Sequence, residues 1–455
     1  MPRFDLLVIG GGFGGYPAAV VAAQRGLKTA VVEARLLGGE CANYACIPVK
    51  AMLSKASEIA AVLSRGFSVD KRFREALEYA LKVSQRVRSG IETVLEGYGV
   101  AVIRGRAKIR APGVVHVEGY GDVEYEKLVI ATGTDPGYPP GLEPDGKLVH
   151  DNRTILSYDG EPSKVVVVGG GPAGVEYADL FARLGAEVHL VEVLDRILPF
   201  MDVDLSRAVA RYLRSIGVKL HTKTTIGRLE KLANGVEVVL SSGDRIKADI
   251  VVVATGRRPA TSGLGLDVLG VKLDEKGYII VDEYLRAAKD VYASGDVAGP
   301  PLLAHKAYSQ AVTVGLNVSG EERKWSPKAI PLVVYTGLEA VQVGYTLDEA
   351  RRRGYNAQEA RIRLGAISMA VIKGAEYGVA KIVYDASSGR VLGLHLAAHG
   401  ASEVAGEAAL AVERGVTVEE LADLIHPHPS ISEAIALAAE VAVGRPVNYL
   451  AKNKP

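Results

Sequence analysis

With 455 residues, the chain is long enough for two to four domains that each bury a core. Its 54 Lys and Arg residues nearly balance its 53 Asp and Glu residues, which excludes the strongly basic proteins that bind nucleic acids or acidic membranes. No apolar run is long enough to span a bilayer, and the sequence starts directly with a strand rather than a signal peptide, so we expect a cytoplasmic protein.

The first predicted element is a strand, Phe4–Ile9, that runs into a glycine-rich turn. Gly10, Gly12 and Gly15 form the pattern G-x-G-x-x-G, followed by an amphipathic helix and a second strand that ends at Glu33. In a dinucleotide site such glycines permit the tight turn, the close approach of a pyrophosphate and the packing of helix on strand, while the acid binds ribose hydroxyls. A single copy also fits an ordinary tight turn.

Both cysteines follow this first repeat, with four residues between Cys41 and Cys46. An ideal helix does not align positions five apart, so a disulfide here requires a distorted first turn, and strained disulfides are the easily reduced, catalytic kind. The start of a helix also favours the thiolate. The alternatives are a buried pair of small apolar residues or a stabilising crosslink, although closing so short a loop stabilises little.

Two long helices are predicted next, at about residues 47–65 and 71–97. Short strands follow, and the last of them ends in Ala131-Thr132-Gly133. The predicted strands are Val100–Ile103, Val114–Val117 and Lys127–Ile130.

Residues 164–192 repeat the pattern of residues 5–33. The second copy contains Gly169, Gly171 and Gly174 and ends in Glu192. Two copies, each in a strand–turn–helix–strand context with a correctly spaced acid, predict two dinucleotide-binding folds.

The second repeat closes much as the first does, with a strand at Ile250–Val253 and then Ala254-Thr255-Gly256. Another predicted strand, within residues 290–297, runs into a turn that contains Asp296. A carboxylate at a strand end suits a polyol or ribose hydroxyl, although on its own it is more often a turn former.

From about residue 329 the pattern changes to that of a separate α+β domain. Its predicted strands are Ile330–Tyr335, Glu339–Gly344 and a hairpin of Val379–Tyr384 with Val391–Leu396, and its predicted helices lie near 402–414, 417–424 and 430–442.

Within this domain, His428 lies between two prolines, Pro427 and Pro429, and five residues before Glu433. Ser430 and Glu433 match an S-x-x-E capping box, which predicts a helix start. A carboxylate that binds one imidazole nitrogen orients the ring and raises its basicity, as dithiol chemistry requires. From spacing alone, a loop histidine beside a capping glutamate is the favoured interpretation. Metal binding is not expected, because no further His or Cys cluster supplies the remaining ligands.

Together, these motifs resemble the pyridine nucleotide–disulfide oxidoreductases with a two-cysteine active site, and most closely their dihydrolipoamide dehydrogenase branch. The resemblance covers nearly the whole chain. It implies an α/β fold with two Rossmann-like dinucleotide-binding domains and a C-terminal α+β dimerisation domain. The expected boundaries are 1–145 for the FAD-binding domain, 146–268 for the NAD-binding domain, 269–328 for a return segment and 329–455 for the dimerisation domain.

The resemblance also implies roles for individual residues. Cys41 would exchange with the substrate and Cys46 would lie against the flavin, with Lys50 nearby and paired with Glu176. His428, oriented by Glu433, would act as a base at the flavin of the partner subunit, which implies a homodimer. The residues expected to contact FAD are Gly10, Gly12, Gly15, Glu33, Lys50, Thr132, Gly133, Asp296 and Ala304, and those expected to contact NAD are Gly169, Gly171, Gly174, Glu192 and Gly256.

The implied reaction is oxidation of dihydrolipoamide, or of a dihydrolipoyl protein, with reduction of NAD⁺. A 2-oxoacid dehydrogenase or glycine cleavage complex is the expected kind of partner. The alternatives are an NAD(P)H-dependent reductase of glutathione, mercuric or CoA-disulfide type, and a non-catalytic flavoprotein that docks in a larger complex. Ala45, Val49, Gln310, Leu338 and Pro427 depart from the family's usual residues without removing a reacting atom, and they leave the physiological substrate open.

Overall fold

The computed structural model describes residues 1–450, and its strands form two parallel sheets followed by an antiparallel one. This arrangement confirms the expected α/β fold with two Rossmann-like units and a C-terminal α+β unit. The domain boundaries stay a prediction, and the last five residues of the expected dimerisation domain lie outside the described part of the chain.

The first parallel sheet is built around the first repeat. Its central strands are mostly buried and apolar, as expected where a sheet is covered on both faces, while the outer strands are partly exposed. In spatial order they are Arg286–Ala288, Val291–Ala293, Gly121–Ile130, Arg3–Ile9, Thr29–Glu33 and Ala101–Arg104, with the hairpin Ala107–Ala111 and Val114–Val117 attached to Gly121–Ile130. The chain therefore returns to its first sheet after completing the second.

The second parallel sheet is built around the second repeat. Its spatial order is Lys219–His221, Glu187–Val191, Lys164–Val168, Ile250–Val253 and Val149–His150. A three-stranded antiparallel sheet, Ile226–Leu232, Gly235–Leu240 and Arg245–Ala248, and a strand pair, Thr134–Pro136 with Arg257–Pro259, accompany it. The strand pair joins the ends of the two parallel sheets.

The C-terminal sheet is entirely antiparallel. Its spatial order is Leu332–Val334, Glu339–Gly344, Val391–Ala398, Val379–Asp385 and Ala357–Arg363. The predicted hairpin is therefore confirmed, while the predicted strand at 330–335 is shorter than expected.

Helices cover these sheets. The α-helices are Tyr16–Gln24, Gly39–Asn43, Cys46–Leu63, Arg72–Gly97, Pro172–Arg183, Val203–Ser215, Ala304–Val318, Leu347–Arg352, Ser368–Ile372, Ala405–Arg414, Val418–Asp423 and Glu433–Ala442. Short 3₁₀ turns lie at Thr154–Ser157, Leu266–Leu269, Asp296–Ala298, Leu364–Ala366 and Ala401–Val404. Within residues 1–450, no helix combines the length and apolar character needed to cross a membrane.

A shared core fixes the helix that starts at Cys46, here called the cysteine helix (Cys46–Leu63). Its buried side chains, including Met52 and Ala56, pack in one cluster with Phe73, Tyr177 and Phe181. Burying side chains of this size stabilises the fold by about 1.5–3 kcal/mol each. Because Tyr177 and Phe181 lie on the helix of the second repeat, this core ties the redox segment to the second dinucleotide fold.

In the capping box predicted at the last helix, the contact of Glu433 is present but the contact of Ser430 is wrong. The helix begins at Glu433, not at residue 430, and its N-cap Ser432 makes no side-chain cap bond. Glu433 does accept the N–H of Ser430, at 2.8 Å, but the Ser430 hydroxyl bonds to the Ser432 hydroxyl instead of capping the helix. Similarly, the helix predicted near 402–414 begins at Ala405, after a 3₁₀ turn.

Candidate active site

The two glycine turns have nearly the same backbone geometry. Gly10 and Gly169 have φ of 106° and 108°, a left-handed conformation that favours glycine. A Cβ added to Gly10 would lie 2.3 Å from the carbonyl oxygen of Ala131, and one on Gly169 would lie 2.4 Å from that of Ala254. The first glycine of each turn therefore lies directly against the residue that follows a neighbouring strand of the same sheet.

The second and third glycines of each turn have the separate roles expected in a pyrophosphate-binding turn. A Cβ on Gly15 or Gly174 would lie 1.8 Å from the carbonyl oxygen of the first glycine in its turn, so both are required for helix packing. Nothing lies within 4 Å of the Cβ position of Gly171, and the nearest atom at Gly12 is 3.6 Å away. The middle glycines therefore leave room for a phosphate to approach the backbone.

The acid at the end of each repeat braces its own turn. Glu33 accepts the N–H of Gly11 at 2.8 Å, and Glu192 accepts the N–H of Gly170 at 2.5 Å. The second oxygen of each accepts an N–H two residues further on, from Arg35 and Leu194 respectively. Both carboxylates are thereby held beside the place where an adenosine ribose would lie in a dinucleotide fold.

Two further features fit a flavin nucleotide in the first fold. The Thr132 hydroxyl is buried and has no hydrogen-bond partner within the described residues, as expected for a group whose partner is a ligand. Burial raises the pKa of Asp296, and Thr134 donates to its carboxylate at 3.2 Å. Lys306, which no sequence motif singles out, donates to the carbonyls of Gly295 and Gly299 on either side of Asp296, and burial lowers the pKa of Lys306 to about 8.

The two cysteines lie on separate helices. Cys41 is in a short helix, here called the Cys41 turn (Gly39–Asn43), while Cys46 is the first residue of the cysteine helix. The distortion that a disulfide would require lies between them, where Ala45 adopts φ −131° and ψ −90°. Both residues are thiols in this structure, in hydrogen-bond contact with each other, so the disulfide itself stays a prediction.

The contact between the thiols separates their acidities. The hydrogen bond from Cys41 lowers the pKa of Cys46, and Lys50 reinforces this against the opposing effect of burial. The same bond, together with burial, raises the pKa of Cys41. These opposite directions favour Cys46 as the thiolate of the reduced pair, with Cys41 as its hydrogen-bond donor.

Lys50 lies one helical turn after Cys46 and forms the predicted pair with Glu176. Lys50 Nζ lies 2.6 Å from Glu176 Oε2, and it also sits 4.8 Å from the centre of the Tyr335 ring. Burial lowers the pKa of Lys50, but Glu176 and Cys46 outweigh it, so the net shift is upward. The other Glu176 oxygen accepts the N–H of Tyr335 at 3.1 Å, which connects the pair to the C-terminal unit.

His428 and Glu433 form the predicted contact but lie apart from the cysteines. His428 Nδ1 is 2.8 Å from Glu433 Oε1, and the His428 side chain is 68% exposed. Within residues 1–450, no hydrogen bond or ion pair joins His428 to Cys41, Cys46 or Lys50. The site that one chain assembles therefore contains the dithiol, Lys50 and Glu176, without the histidine.

Some contacts in this site could not be expected from the motifs. Glu40, beside Cys41, binds Arg153 and Arg257, although no spacing rule links these positions. Arg257 directly follows the Ala254-Thr255-Gly256 segment and Tyr335 ends a predicted strand, and neither position was assigned a role. Among residues 1–450 there is no group of three or more His, Cys, Asp or Glu side chains placed to hold a metal ion.

Two dinucleotide folds that meet at a dithiol define a flavin- and nicotinamide-linked disulfide oxidoreductase. A family profile described as pyridine nucleotide-disulphide oxidoreductase matches residues 4–311, and the dimerisation domain of the same family matches residues 330–439. The chain belongs to the pyridine nucleotide-disulphide oxidoreductase family. It is an enzyme that uses FAD and NAD, and its dimerisation domain indicates a homodimer.

Full-length relatives include a dihydrolipoyl dehydrogenase of Thermus scotoductus, 38% identical over 99% of this chain and 100% of that protein. Dihydrolipoyl dehydrogenase 3 of Pseudomonas aeruginosa is 37% identical over 98% and 99%. The crystal structure of LpdA from Mycobacterium tuberculosis superposes with a TM-score of 0.89 at 27% identity, covering 97% of this chain and 100% of that one. The HOCl-induced flavoprotein disulfide reductase RclA of Escherichia coli gives a TM-score of 0.86 at 27% identity, over 95% and 98%.

Proposed function

We propose that the enzyme oxidises dihydrolipoamide, or a dihydrolipoyl group on a protein, and reduces NAD⁺. The observation that carries the proposal is the reduced cysteine pair, in which Cys46 is set up as a thiolate and Cys41 as a thiol. A dithiol substrate can reduce the disulfide form of this pair to that state in two successive exchange steps. The names of the full-length relatives support the choice of substrate.

The chain's own groups would act in a fixed order. One substrate thiol loses its proton to His428 of the partner subunit and attacks the Cys41 sulfur of the disulfide, which releases Cys46 as a thiolate. The second substrate thiol gives up its proton and its sulfur attacks the first substrate sulfur, which closes the substrate disulfide and displaces Cys41. Cys41 takes that proton, as its raised pKa favours, while the first proton leaves through His428 of the partner subunit. Lys50 stabilises the Cys46 thiolate from its release onward, and the Cys41 thiol adds its hydrogen bond once it has been displaced. Bound FAD would accept the electron pair of the thiolate and pass it as hydride to NAD⁺.

The high exposure of His428 supports its action across a dimer. A base that serves its own chain should lie near its own cysteines, and His428 makes no contact with them. Glu433 would fix the ring by accepting from Nδ1, so that Nε2 faces the substrate. Each homodimer would then hold two sites, each completed by the other chain.

Glu192 should make the enzyme prefer NAD over NADP. Its carboxylate is buried and held against the turn, so it would repel a 2′-phosphate. Glu192→Gln should narrow the ratio of kcat/KM between the two cofactors, while raising both KM values because the turn loses a charged acceptor. The equivalent change in the first repeat, Glu33→Gln, is the matched control and should weaken FAD retention without altering that ratio. A preference for NADP in the unaltered enzyme would contradict the assignment.

An anaerobic titration tests the proposed reaction directly. Adding dihydrolipoamide should reduce the enzyme by two electrons, and subsequent NAD⁺ should return it to the oxidised spectrum. If glutathione or a CoA thiol reduces the enzyme and dihydrolipoamide does not, the substrate assignment is wrong. If no dithiol changes the flavin spectrum, the chain acts as a docking subunit instead. We further propose a cytoplasmic location and a lipoyl-bearing 2-oxoacid dehydrogenase or glycine cleavage complex as the partner.

A further inference from the structure

The Cys41 turn is held from outside by residues of the second dinucleotide fold. Asn152 and Arg153 follow the strand Val149–His150 at the edge of the second parallel sheet. Their side chains reach back to the two ends of the Cys41 turn, at Glu40 and Tyr44. Cys41 lies between these two attachment points.

Glu40 carries most of this attachment. Arg153 binds its carboxylate with two nitrogens, Nη2 to Oε2 at 2.8 Å and Nε to both oxygens at 3.1 and 3.2 Å. Asn152 donates to Oε1 at 2.7 Å, and Arg257 approaches the same oxygen at 3.2 Å. The carboxylate is only 22% exposed, and a bidentate, charge-assisted contact of this kind fixes direction as well as position.

The backbone of Glu40 transmits this hold to the rest of the turn. Its carbonyl accepts the N–H groups of both Tyr44 and Ala45, at 2.9 Å each. Asn152 also donates to the carbonyl of Tyr44 at 3.1 Å. On its inner side the turn is fixed separately, through Asn43, whose amide donates to Leu37 and Gly39.

Cys46, in contrast, is placed by the packed cysteine helix. Two sulfur atoms on separately anchored elements form a disulfide readily only if the elements keep their relative position when the disulfide is reduced. We propose that Glu40, Asn152 and Arg153 form a clamp that holds Cys41 against Cys46 in the reduced enzyme and so sets the position of the thiol–disulfide equilibrium. They are positioning residues that touch neither the substrate nor a cofactor in this scheme.

The inference rests on the proposed role of Cys41 and Cys46 as the redox pair. A clamp raises the effective concentration of one thiol at the other, which favours the disulfide over the dithiol. Opening the clamp should therefore make the disulfide easier to reduce. The exchange is balanced by a small reference dithiol: dithiothreitol gives up two electrons and two protons and becomes its own cyclic disulfide, and with Cys46 as a thiolate one proton goes to Cys41 and the other to solvent.

Three substitutions separate a clamp from a simple charge effect. Glu40→Gln removes a negative charge, Arg153→Met removes a positive charge, and Asn152→Ala removes no charge, yet each breaks contacts of the clamp. We expect all three to shift the equilibrium with dithiothreitol toward the dithiol, by roughly tenfold, or about 30 mV. A purely electrostatic influence would shift Glu40→Gln and Arg153→Met in opposite directions, because only the first favours the thiolate.

The holoenzyme would be equilibrated anaerobically in buffers with a graded ratio of reduced to oxidised dithiothreitol. It would then be quenched in acid and labelled with a maleimide to count free thiols. Glu161→Gln is the matched control, because Glu161 also joins the two folds by accepting N–H groups of Phe73 and Arg74, away from the cysteines. Thermal denaturation identifies any variant that loses stability without a change in the equilibrium.

Shifts of opposite sign, or an unchanged equilibrium in all three variants, would overturn the clamp. An equal shift in the Glu161 control would do the same. If the unaltered enzyme shows no reversible disulfide at all, the proposed function fails rather than the clamp, so the two failures can be told apart.

Discussion

His428→Gln should slow reduction of the enzyme by dihydrolipoamide about 10²–10⁴-fold, the usual contribution of a general base. The substrate thiol must lose its proton before it can attack Cys41, and glutamine cannot take that proton. Stopped-flow absorbance under anaerobic conditions measures this half-reaction alone. Electron transfer from NADH to an artificial acceptor should be nearly unchanged, because that path deprotonates no thiol.

Two neighbouring variants give this experiment its controls. Glu433→Gln should show a weaker form of the same defect, since Glu433 orients the ring without taking the proton. His426→Gln changes the other histidine of the same loop, which is bound to Glu407 at 2.8 Å, and it should leave the half-reaction close to the unaltered rate. A larger loss in the His426 variant than in the His428 variant would exchange their roles.

Mixed dimers test whether the base crosses between subunits. Inactive His428→Gln and inactive Cys41→Ser chains should recover activity when their subunits exchange. A mixed dimer would then hold one intact site, built from the cysteines of one chain and His428 of the other. No recovery after verified exchange would mean that His428 serves its own chain or is not the base.

Cys46→Ser should abolish both dithiol turnover and the long-wavelength charge-transfer band of thiolate with oxidised flavin. Cys41→Ser should also abolish turnover but retain the band, because Cys46 remains and the serine hydroxyl can still donate to it. Since the pKa of Cys46 is lowered, the thiolate and its band should persist to lower pH than an ordinary thiol allows and fade as the pH falls through that lowered pKa. Visible spectra across a pH series measure both effects.

Because each cysteine is replaced by the same residue, the two serine variants can be compared directly with each other. If the band is lost in Cys41→Ser and kept in Cys46→Ser, the two cysteines have exchanged roles. If both variants keep dithiol turnover, the pair is not the redox centre.

The sequence was most informative where backbone geometry restricts residue choice. Gly10 and Gly169 are required by a left-handed backbone, and the acids Glu33 and Glu192 follow at a fixed distance set by one helix and one strand. The break between the two cysteines was also predictable, because five positions do not match a helical turn. Local rules of this kind are readable from a single chain.

Contacts between distant segments were not readable. Glu40 and Arg153 lie 113 positions apart, and only the packing of the two folds brings them together. Ser430 matched a capping pattern, yet Glu433 also binds His428, and its helix starts three residues later than predicted. Lys306 looks like an ordinary helix residue until the fold buries it beside Asp296.

The close agreement between the two glycine turns has a consequence for cofactor choice. The turns differ by 2° in φ at the first glycine and by 0.1 Å in its closest approach. They can therefore recognise only what FAD and NAD have in common, the adenosine and the pyrophosphate. Discrimination between the two must come from the residues around the other half of each molecule, where Asp296 lies on a segment outside both repeats. The two turns are therefore equivalent in backbone geometry, and the residues that distinguish FAD from NAD lie outside them.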